Sequence, residues 1–207
     1  MLYNILDTDR KKLLPFLTTF KQHYYLAGGT GLALQIGHRK SEDFDFFTLQ
    51  PFSTTDLFDE VQKYLVNRTL VKIQEEKNTL IILVNDVIKI SFFYYPYPLL
   101  EPLLEQKSVK IASVVDIGCM KLSAIVSRAT LKDYVDLYFI LKSVSLKELL
   151  EKSKQKHPTL DTNLVLKSLI YFDDVDTDPM EFMPDHIVSF DQVKTFLTQE
   201  VKKYFGT

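Results

Sequence analysis

Two aspartates alternate with two phenylalanines at Asp43–Phe46 of this 207-residue chain. In a β-strand, residues i and i+2 point to the same face, so Asp43 and Asp45 share one face and the phenylalanines share the other. Aspartate is disfavoured within strands, and two on one face of an aromatic strand require a compensating partner. Mg²⁺ is such a partner, because it binds carboxylate oxygens. We predict that Asp43 and Asp45 hold a divalent metal, with a solvated strand edge as the alternative.

A glycine pair precedes this strand, at Gly28-Gly29-Thr30. It lies between a short apolar run, Tyr24–Leu26, and the helical pattern of Leu32–Ile36. Glycine lets the backbone approach a ligand closely, and a helix N-terminus offers free N–H groups to phosphate oxygens. Thr30 adds a hydroxyl at the same place. We predict a phosphate-binding turn here, and an ordinary tight turn is the alternative.

The two motifs are close enough in the chain to act together. Thirteen residues, Thr30–Glu42, separate Gly29 from Asp43, which is enough for a short helix and a return loop. Phosphates at the helix N-terminus would then lie beside a metal on the neighbouring strand, as attack on a nucleotide's α-phosphate requires. Two other phosphate loops are excluded, because no Gly-Lys-Ser/Thr is present and Leu34 stands where a dinucleotide fingerprint needs glycine or alanine.

Cations and acids recur on the later helices. Lys121 and Arg128 are seven residues apart, so they share a helix face and can reach one anionic ligand. Asp133 and Asp136, three residues apart, share a face of the next predicted helix. We predict that these residues serve the active site. The alternative is a structural ion-pair cluster in which the acids pair with Arg128 or Lys132.

Other charged segments carry weaker signals. Arg39 lies in the basic loop His38–Lys40, shortly before the acids, and we predict that it contacts a triphosphate or the acceptor, with a solvated turn as the alternative. The acidic run Asp173–Asp178 contains mixed spacing that fits no metal-binding loop, so we predict a solvated loop.

Hydrophobic periodicity divides the chain into two parts. Strand and helix patterns alternate up to the segment 95–98, whose prolines interrupt regular structure. From about Val114 the pattern is mostly helical. We therefore predict an α/β (α+β) fold with an α/β core at residues 1–108 and a mainly helical lobe at residues 109–207. Strands are predicted at 24–26, 44–47, 70–74, 79–84, 87–92 and 109–112, and helices at 9–20, 32–36, 56–66, 114–128, 132–141, 146–156, 162–172 and 191–204.

Composition narrows the class of protein and its compartment. A net charge of -2 and a hydrophobic fraction of 46% are typical of a folded globular chain and argue against a polybasic membrane binder. The single cysteine, Cys119, cannot form an internal disulfide, and we predict that it is buried. No apolar run approaches the ~20 residues needed to cross a bilayer. We predict a cytoplasmic protein with no membrane partner.

Four segments, residues 27–34, 37–47, 121–128 and 132–137, together match a known family. They resemble the AbiEii/AbiGii-type nucleotidyltransferase toxins, a branch of the DNA-polymerase-β-like nucleotidyltransferase superfamily. The resemblance implies a minimal mixed sheet flanked by helices, a helical C-terminal lobe, Mg²⁺ or Mn²⁺, and a nucleoside triphosphate as donor. It also implies that tRNA or another RNA is an acceptor, and that a cognate antitoxin exists, because several members are toxins of toxin–antitoxin or phage-defence pairs.

The resemblance also assigns roles to individual residues. It makes Asp43 and Asp45 metal ligands, and it makes Gly28, Gly29 and Thr30 phosphate binders. Lys121 becomes a phosphate-binding or catalytic group. Asp133 and Asp136 match a later catalytic motif.

One position departs from the superfamily pattern. A third carboxylate usually lies on a later strand, and here Ser91 occupies that position. Serine is a poor Mg²⁺ ligand and no base at neutral pH. Asp86, Asp133 and Asp136 are the candidates to replace the missing acid.

Three functions are therefore open on sequence grounds. The first is transfer of a nucleotidyl group to a hydroxyl of RNA or protein. The second is a non-catalytic nucleotide-binding or interaction module, because of Ser91. The third is a glycosyltransferase, since an Asp-x-Asp motif also presents Mn²⁺ to nucleotide sugars, but the nearby glycine turn and the short chain disfavour it.

Overall fold

The structure, a computed structural model, describes residues 1–176 and 179–206. These ranges contain eight α-helices and seven strands, with three short 3₁₀ turns at Tyr3–Ile5, Thr18–Phe20 and Pro184–His186. The helices are α1 Thr8–Leu17, α2 Gly28–Ile36, α3 Thr54–Tyr64, α4 Val114–Ser127, α5 Leu131–Ile140, α6 Leu146–Lys156, α7 Thr162–Leu169 and α8 Phe190–Phe205. The strands are β1 Tyr25–Leu26, β2 Phe44–Thr48, β3 Leu70–Glu76, β4 Thr79–Val84, β5 Ile88–Tyr94, β6 Leu104–Glu105 and β7 Lys110–Ile111.

The strands form one mixed sheet in the order β3-β4-β5-β2-β1-β7-β6. β2 runs parallel to β5, and β1 runs parallel to β7, while the other neighbours are antiparallel. The register places Asp45 opposite Ser91 and Phe47 between Tyr25 and Phe93. The predicted α/β fold with a mixed sheet and a helical C-terminal part is confirmed.

Alternation along β2 gives the sheet two different faces. Phe44 and Phe46 are buried against α1 and α3, together with Phe92 of β5. Asp43 and Asp45 therefore point to the opposite face, as the period of two requires. A second core lies among the helices from α4 to α8, around residues such as Leu122, Tyr134, Leu149, Leu166 and Leu197.

Most predicted elements lie where the periodicity placed them, and the structure differs at their ends and by one additional short strand. The strand Thr79–Val84 and the helix Leu146–Lys156 have the predicted bounds. α2 starts at Gly28 rather than Leu32, so the glycines form its first turn. The short strand β6 was not predicted, because two residues carry no periodicity. The sheet continues to Ile111 in β7, past residue 108, and the division of the chain at that point stays a prediction.

Two further sequence predictions concern single segments. Cys119 is fully buried in α4, as predicted, and burial raises the pKa of its thiol to about 12. In the acidic run, Asp173 and Asp174 are exposed, and Asp178 lies outside the described residues. Within the described ranges, the helices lack the combination of length and apolar character needed to span a bilayer.

A buried ion pair attaches the segment after β5 to the helical part. Lys156, at the end of α6, has no exposed surface, and its Nζ lies 2.7 Å from Asp116 Oδ1 and 2.7 Å from the carbonyl oxygen of Pro98. Asp116 also accepts hydrogen bonds from the backbone N–H groups of Leu100 and Glu101. The pair therefore holds the proline-containing segment, which has no strand partner of its own at these positions, against α4 and α6.

We expect Lys156→Ala to lower the free energy of unfolding by about 3–5 kcal/mol, because it leaves the buried Asp116 without its cation. The measurement is urea unfolding at pH 7, with Lys154→Ala as the matched control. Lys154 lies on the same helical turn and is exposed, so its loss should change stability little. Equal effects of the two substitutions would contradict the role given to the buried pair.

Candidate active site

The two aspartates lie side by side at the N-terminal end of β2. Asp43 directly precedes the strand and Asp45 is its second residue. The parallel register with β5 places Ser91 opposite Asp45, and Lys89 stands two residues earlier on the same face. Lys89 Nζ lies 2.7 Å from Asp43 Oδ2, and both side chains are about 40% exposed. The face therefore presents two carboxylates, one hydroxyl and one ammonium group in a compact set.

The glycine pair brings the N-terminus of α2 against these side chains. Gly28 has a φ of 61°, and a Cβ on it would lie 2.8 Å from Asp45 Oδ2. A Cβ on Gly29 would collide with the Arg39 guanidinium. Both positions are therefore restricted to glycine by close approach, and Gly28 also by its left-handed conformation. Ala27 provides no side-chain cap, and the first N–H groups of α2 have no partner within the helix.

Thr30 has a different set of contacts from the predicted one. Its side chain is buried, and its hydroxyl donates to the carbonyl oxygen of Asp43 and lies 2.7 Å from the Ser41 hydroxyl. The hydroxyl holds the loop that carries the aspartates. The Thr30 hydroxyl is therefore engaged within the protein, and Thr30 can bind phosphate only through its backbone N–H at the N-terminus of α2.

Asp45 has an altered acidity. Burial, together with the neighbouring charge of Asp43, raises the pKa of Asp45 above its usual value. A hydrogen bond with Ser91 and the charges of Lys89 and Lys121 act in the opposite direction. A bound cation would relieve the repulsion between the two carboxylates, so the arrangement favours binding of positive charge at this point.

A buried ion-pair network adjoins the site on the helical side. Lys121, on α4, has its Nζ 2.7 Å from Asp133 Oδ1 and 2.5 Å from Asp136 Oδ2, both on α5. Burial alone would lower the pKa of Lys121, but the two carboxylates raise it above its usual value. The Lys121 side chain is therefore a fixed, charged ammonium group.

The loop after α2 completes this network from the sheet side. Arg39 donates from Nε and Nη2 to the two oxygens of Asp136, at 2.8 and 3.0 Å, and His38 Nε2 lies 2.8 Å from Oδ1. His38 and Arg39 are buried, so the solvated-turn interpretation is wrong for them. Lys40, in contrast, is exposed and pairs with Glu181 at the surface.

Asp133 and Asp136 thus differ from free metal ligands. Burial would raise the pKa of Asp136, but Arg39 and Lys121 hold it well below the usual range. The pKa of Asp133 is likewise lowered, despite burial, by Lys121 and Arg128. Arg128 Nε lies 3.0 Å from Asp133 Oδ2, with the Arg128 side chain 63% exposed. An acid that replaced the missing carboxylate from α5 would first have to release these cations.

The structure brings most of the predicted residues to one place. Gly28, Gly29, Thr30, Asp43 and Asp45 meet at the N-terminus of α2, and the network of Lys121, Arg39, Arg128, Asp133 and Asp136 lies next to it. Sequence reasoning missed Lys89. The signal was present, because Lys89 and Ser91 alternate on β5 as Asp43 and Asp45 do on β2, but only the pairing of these strands shows that they are neighbours.

The carboxylate pair suits Mg²⁺ only as part of a larger ligand set. Within residues 1–176 and 179–206, no group of three or more His, Cys, Asp or Glu side chains is placed to hold a metal. Mg²⁺ in proteins is commonly held by one or two carboxylates together with substrate phosphates and waters. Asp43 and Asp45 fit that type of site, and the open end of α2 beside them is where phosphate oxygens would lie.

A separate cleft of about 490 Å³ opens near the other end of β2, and its lining includes Tyr24, Thr48, Phe52 and Glu60. Neither Asp43 nor Asp45 lines this cleft, so the cleft is separate from the candidate site. The candidate site is identified by its carboxylates and the adjacent helix N-terminus, not by the volume of a cavity.

The chain is similar to known proteins in both sequence and structure. The sequence model of a family described as "Nucleotidyl transferase AbiEii toxin, Type IV TA system" matches residues 16–198. An uncharacterised protein of Aquifex aeolicus (strain VF5), aq_aa25, is 39% identical in an alignment of 187 positions that covers 87% of this chain and 87% of that protein.

Two solved structures share the fold. One is MenT4, the nucleotidyltransferase toxin Rv2826c from Mycobacterium tuberculosis H37Rv, with a TM-score of 0.64, 13% identity and coverage of 93% of this chain and 80% of that chain. The other is JHP933 from Helicobacter pylori, with a TM-score of 0.59, 18% identity and coverage of 97% and 91%. At these identities the likeness concerns the fold alone.

We expect Asp136→Asn to lower the free energy of unfolding at pH 7 by about 3–5 kcal/mol, because Arg39 loses its buried counter-charge. The folded-state pKa of Asp136 is lowered, so its stabilisation is complete above the unfolded pKa of about 4 and is lost as the pH falls through the folded pKa. The difference between parent and variant should therefore shrink in acid.

The measurement is urea unfolding at pH 7 and at several pH values below 4. Asp191→Asn is the matched control, since Asp191 pairs with Lys194 at 3.5 Å and its side chain is 92% exposed; this change should have little effect. A pH-independent difference between parent and Asp136→Asn would show that the carboxylate charge is not what stabilises the fold.

Proposed function

This chain belongs to the family of AbiEii nucleotidyl transferase toxins, and we propose that it moves a nucleotidyl group from a nucleoside triphosphate to a hydroxyl of tRNA, another RNA or a protein. One observation carries the proposal. The carboxylates of Asp43 and Asp45 lie beside the uncapped N-terminus of α2, with Gly28 leaving room for Asp45. Negative phosphate and a positive metal would each find a complementary partner within the same few residues.

In this proposal the glycine turn binds the triphosphate. The N–H groups of Gly28, Gly29 and Thr30 donate to phosphate oxygens, and the positive end of the α2 dipole adds to that attraction. Asp43 and Asp45 hold Mg²⁺, or Mn²⁺, which supplies Lewis-acid polarisation of the α-phosphate and neutralises charge when bound.

The cations beside the site act through their fixed positive charge and do not transfer protons. Lys121 acts on Asp45 electrostatically, and Asp133 and Asp136 fix the place of its ammonium group. Arg39 supports the same network from the glycine side. Arg128 is the most exposed of these cations, and we assign it to offsetting the charge that develops on the transferred phosphate.

The family's description as a type IV toxin–antitoxin component supports an antitoxin as the biological counterpart of this chain. We place its action in the cytoplasm, where nucleoside triphosphates and RNA acceptors are available, and we include phage defence among the uses of such a toxin. These assignments extend the site chemistry to its setting and do not alter the roles of the residues.

We expect the parent protein, with Mg²⁺ and the correct α-labelled nucleoside triphosphate, to transfer label into total cellular RNA or protein. Asp43→Asn/Asp45→Asn should reduce transfer by about 100-fold or more, because the several kcal/mol of charge stabilisation that a metal supplies would be lost. Asp191→Asn is the control and should retain transfer, because the Asp191 side chain is exposed on α8 and pairs with Lys194.

Absence of labelled product with all four triphosphates and both acceptor pools would contradict catalysis. Titration calorimetry would then show whether the protein binds a triphosphate without catalysing transfer. Triphosphate binding that depends on Asp45 would favour a non-catalytic nucleotide-binding module, in which Ser91 explains the missing activity.

We expect Ser91→Asp to strengthen metal binding, because it would add a third carboxylate opposite Asp45 on the paired strand. Without metal the added charge should lower the melting temperature, since three acids would repel one another. Mg²⁺ should then raise the melting temperature of this variant more than that of the parent. Ser91→Asn is the control, because asparagine has the same size as aspartate but carries no charge. The same Mg²⁺ response in all three proteins would contradict a metal site at Asp45.

A further inference from the structure

The fourth side chain of the candidate site, Lys89, is a cation on the face that carries the two aspartates. Phe44 of β2 pairs in register with Ile90 of β5, so Asp43 and Lys89, each one residue earlier, are cross-strand neighbours. Lys89 Nζ lies 2.7 Å from Asp43 Oδ2. Neighbouring strands lie about 4.8 Å apart, a gap that a lysine side chain bridges easily. The strand register therefore places an ammonium group at this carboxylate.

The negative charge of this face is smaller than two divalent ions require. Asp45 faces Ser91, a neutral side chain, which forms a hydrogen bond with it. Asp133 and Asp136 are already paired with cations. Two carboxylates remain, and Lys89 neutralises part of their charge, so the face carries a single excess negative charge.

Two-metal sites need more acidic groups than this face offers. Their ions lie roughly 3.5–4 Å apart and repel each other, so several carboxylates must surround them. One Mg²⁺, in contrast, is commonly held by one or two carboxylates together with substrate phosphates. A second ion on Asp43 would in addition have to displace the Lys89 ammonium group, which lies within hydrogen-bond distance of Oδ2. The ligand set therefore suits one divalent ion.

We propose that Lys89 takes the place of a second divalent cation: the site holds one metal ion, and the Lys89 ammonium group supplies the other positive charge. The proposal rests on the proposed function, because that function assigns Asp43 and Asp45 to a metal. The Lys89 side chain is 40% exposed, and an ammonium group has three N–H donors. Lys89 can therefore donate to an oxygen of the substrate phosphate and to Asp43 at the same time.

Counting bound Mn²⁺ tests this assignment without a requirement for turnover. Each protein is dialysed to equilibrium against Mn²⁺ and saturating α,β-methylene analogues of the four nucleoside triphosphates, which cannot transfer a nucleotidyl group. We expect one bound Mn²⁺ per chain in the parent protein and two in Lys89→Asp, which removes the ammonium group and adds a third carboxylate. Circular dichroism checks that each variant is folded.

Lys142→Asp is the matched control, because it makes the same change of charge elsewhere in the molecule. Lys142 is exposed just after α5, and its ammonium group lies over the rings of Tyr138 and Phe139. This variant should bind one Mn²⁺, like the parent. Two ions in the control would show that added negative charge alone attracts a second ion, and would overturn the proposal.

The parent and the folded Lys89→Asp protein decide the remaining outcomes. Two Mn²⁺ ions in the parent overturn the proposal, because Lys89 then excludes no ion. One ion in Lys89→Asp overturns it too, since the place of a second ion would not lie at Lys89. Both results leave the proposed function intact. No bound Mn²⁺ in the parent overturns the metal site, and with it both the proposed function and the proposal.

A second pair of variants covers the case in which Lys89→Asp does not fold. Lys89→Met keeps the length of the side chain and removes its charge, whereas Lys89→Arg keeps the charge. We expect Lys89→Met to bind Mn²⁺ at least about 5-fold more tightly than the parent in the same dialysis, because the ammonium group no longer repels the ion. Lys89→Arg should retain the parent affinity. Unchanged or weaker binding by Lys89→Met would identify Lys89 as a structural ion-pair partner only and would overturn the proposal.

Discussion

The arrangement of the site depends on the buried ion pairs of the Asp136 carboxylate. It is fully buried, and it binds Lys121 from α4 together with Arg39 and His38 from the loop after α2. A buried charge is stable only when it is paired and hydrogen bonded, so these groups are obliged to meet. Asp136 therefore joins the sheet, through the glycine helix and its loop, to the helical part of the molecule.

This constraint explains the glycine pair better than ligand binding alone does. Arg39 must reach Asp136, and its guanidinium passes through the space that a Cβ on Gly29 would fill. Asp45 similarly occupies the space beside Gly28. The N-terminus of α2, the sheet face that carries Asp43 and Asp45, and the ion-pair network are thus packed as one unit, with Thr30 fixing the loop between them. Displacement of any one part would move the others.

Some parts of this site could be predicted from the sequence and others could not. The alternation at Asp43–Phe46 was sufficient to place both carboxylates on one face, because a strand has a period of two whatever its neighbours are. The proximity of Gly28 to Asp45 followed from the short connection between them. The burial of Arg39 was not predictable. A basic loop is expected to be solvated, and the sequence does not show that Asp136, 97 residues away, neutralises the Arg39 charge. The contact of Lys89 with Asp43 depends on which strands pair, and no local pattern contains that information.

The sequence by itself determined the α/β half followed by a helical half, the faces of the strands, the family resemblance and the absence of an acid at Ser91. These are properties of local periodicity and residue type, which act over a few neighbouring positions. The tertiary structure alone decided that Ser91 and Lys89 lie beside the two aspartates and that Asp133 and Asp136 are occupied by cations. Those outcomes depend on strand order and on buried charge, which bring together residues up to about a hundred positions apart in the chain, such as Arg39 and Asp136.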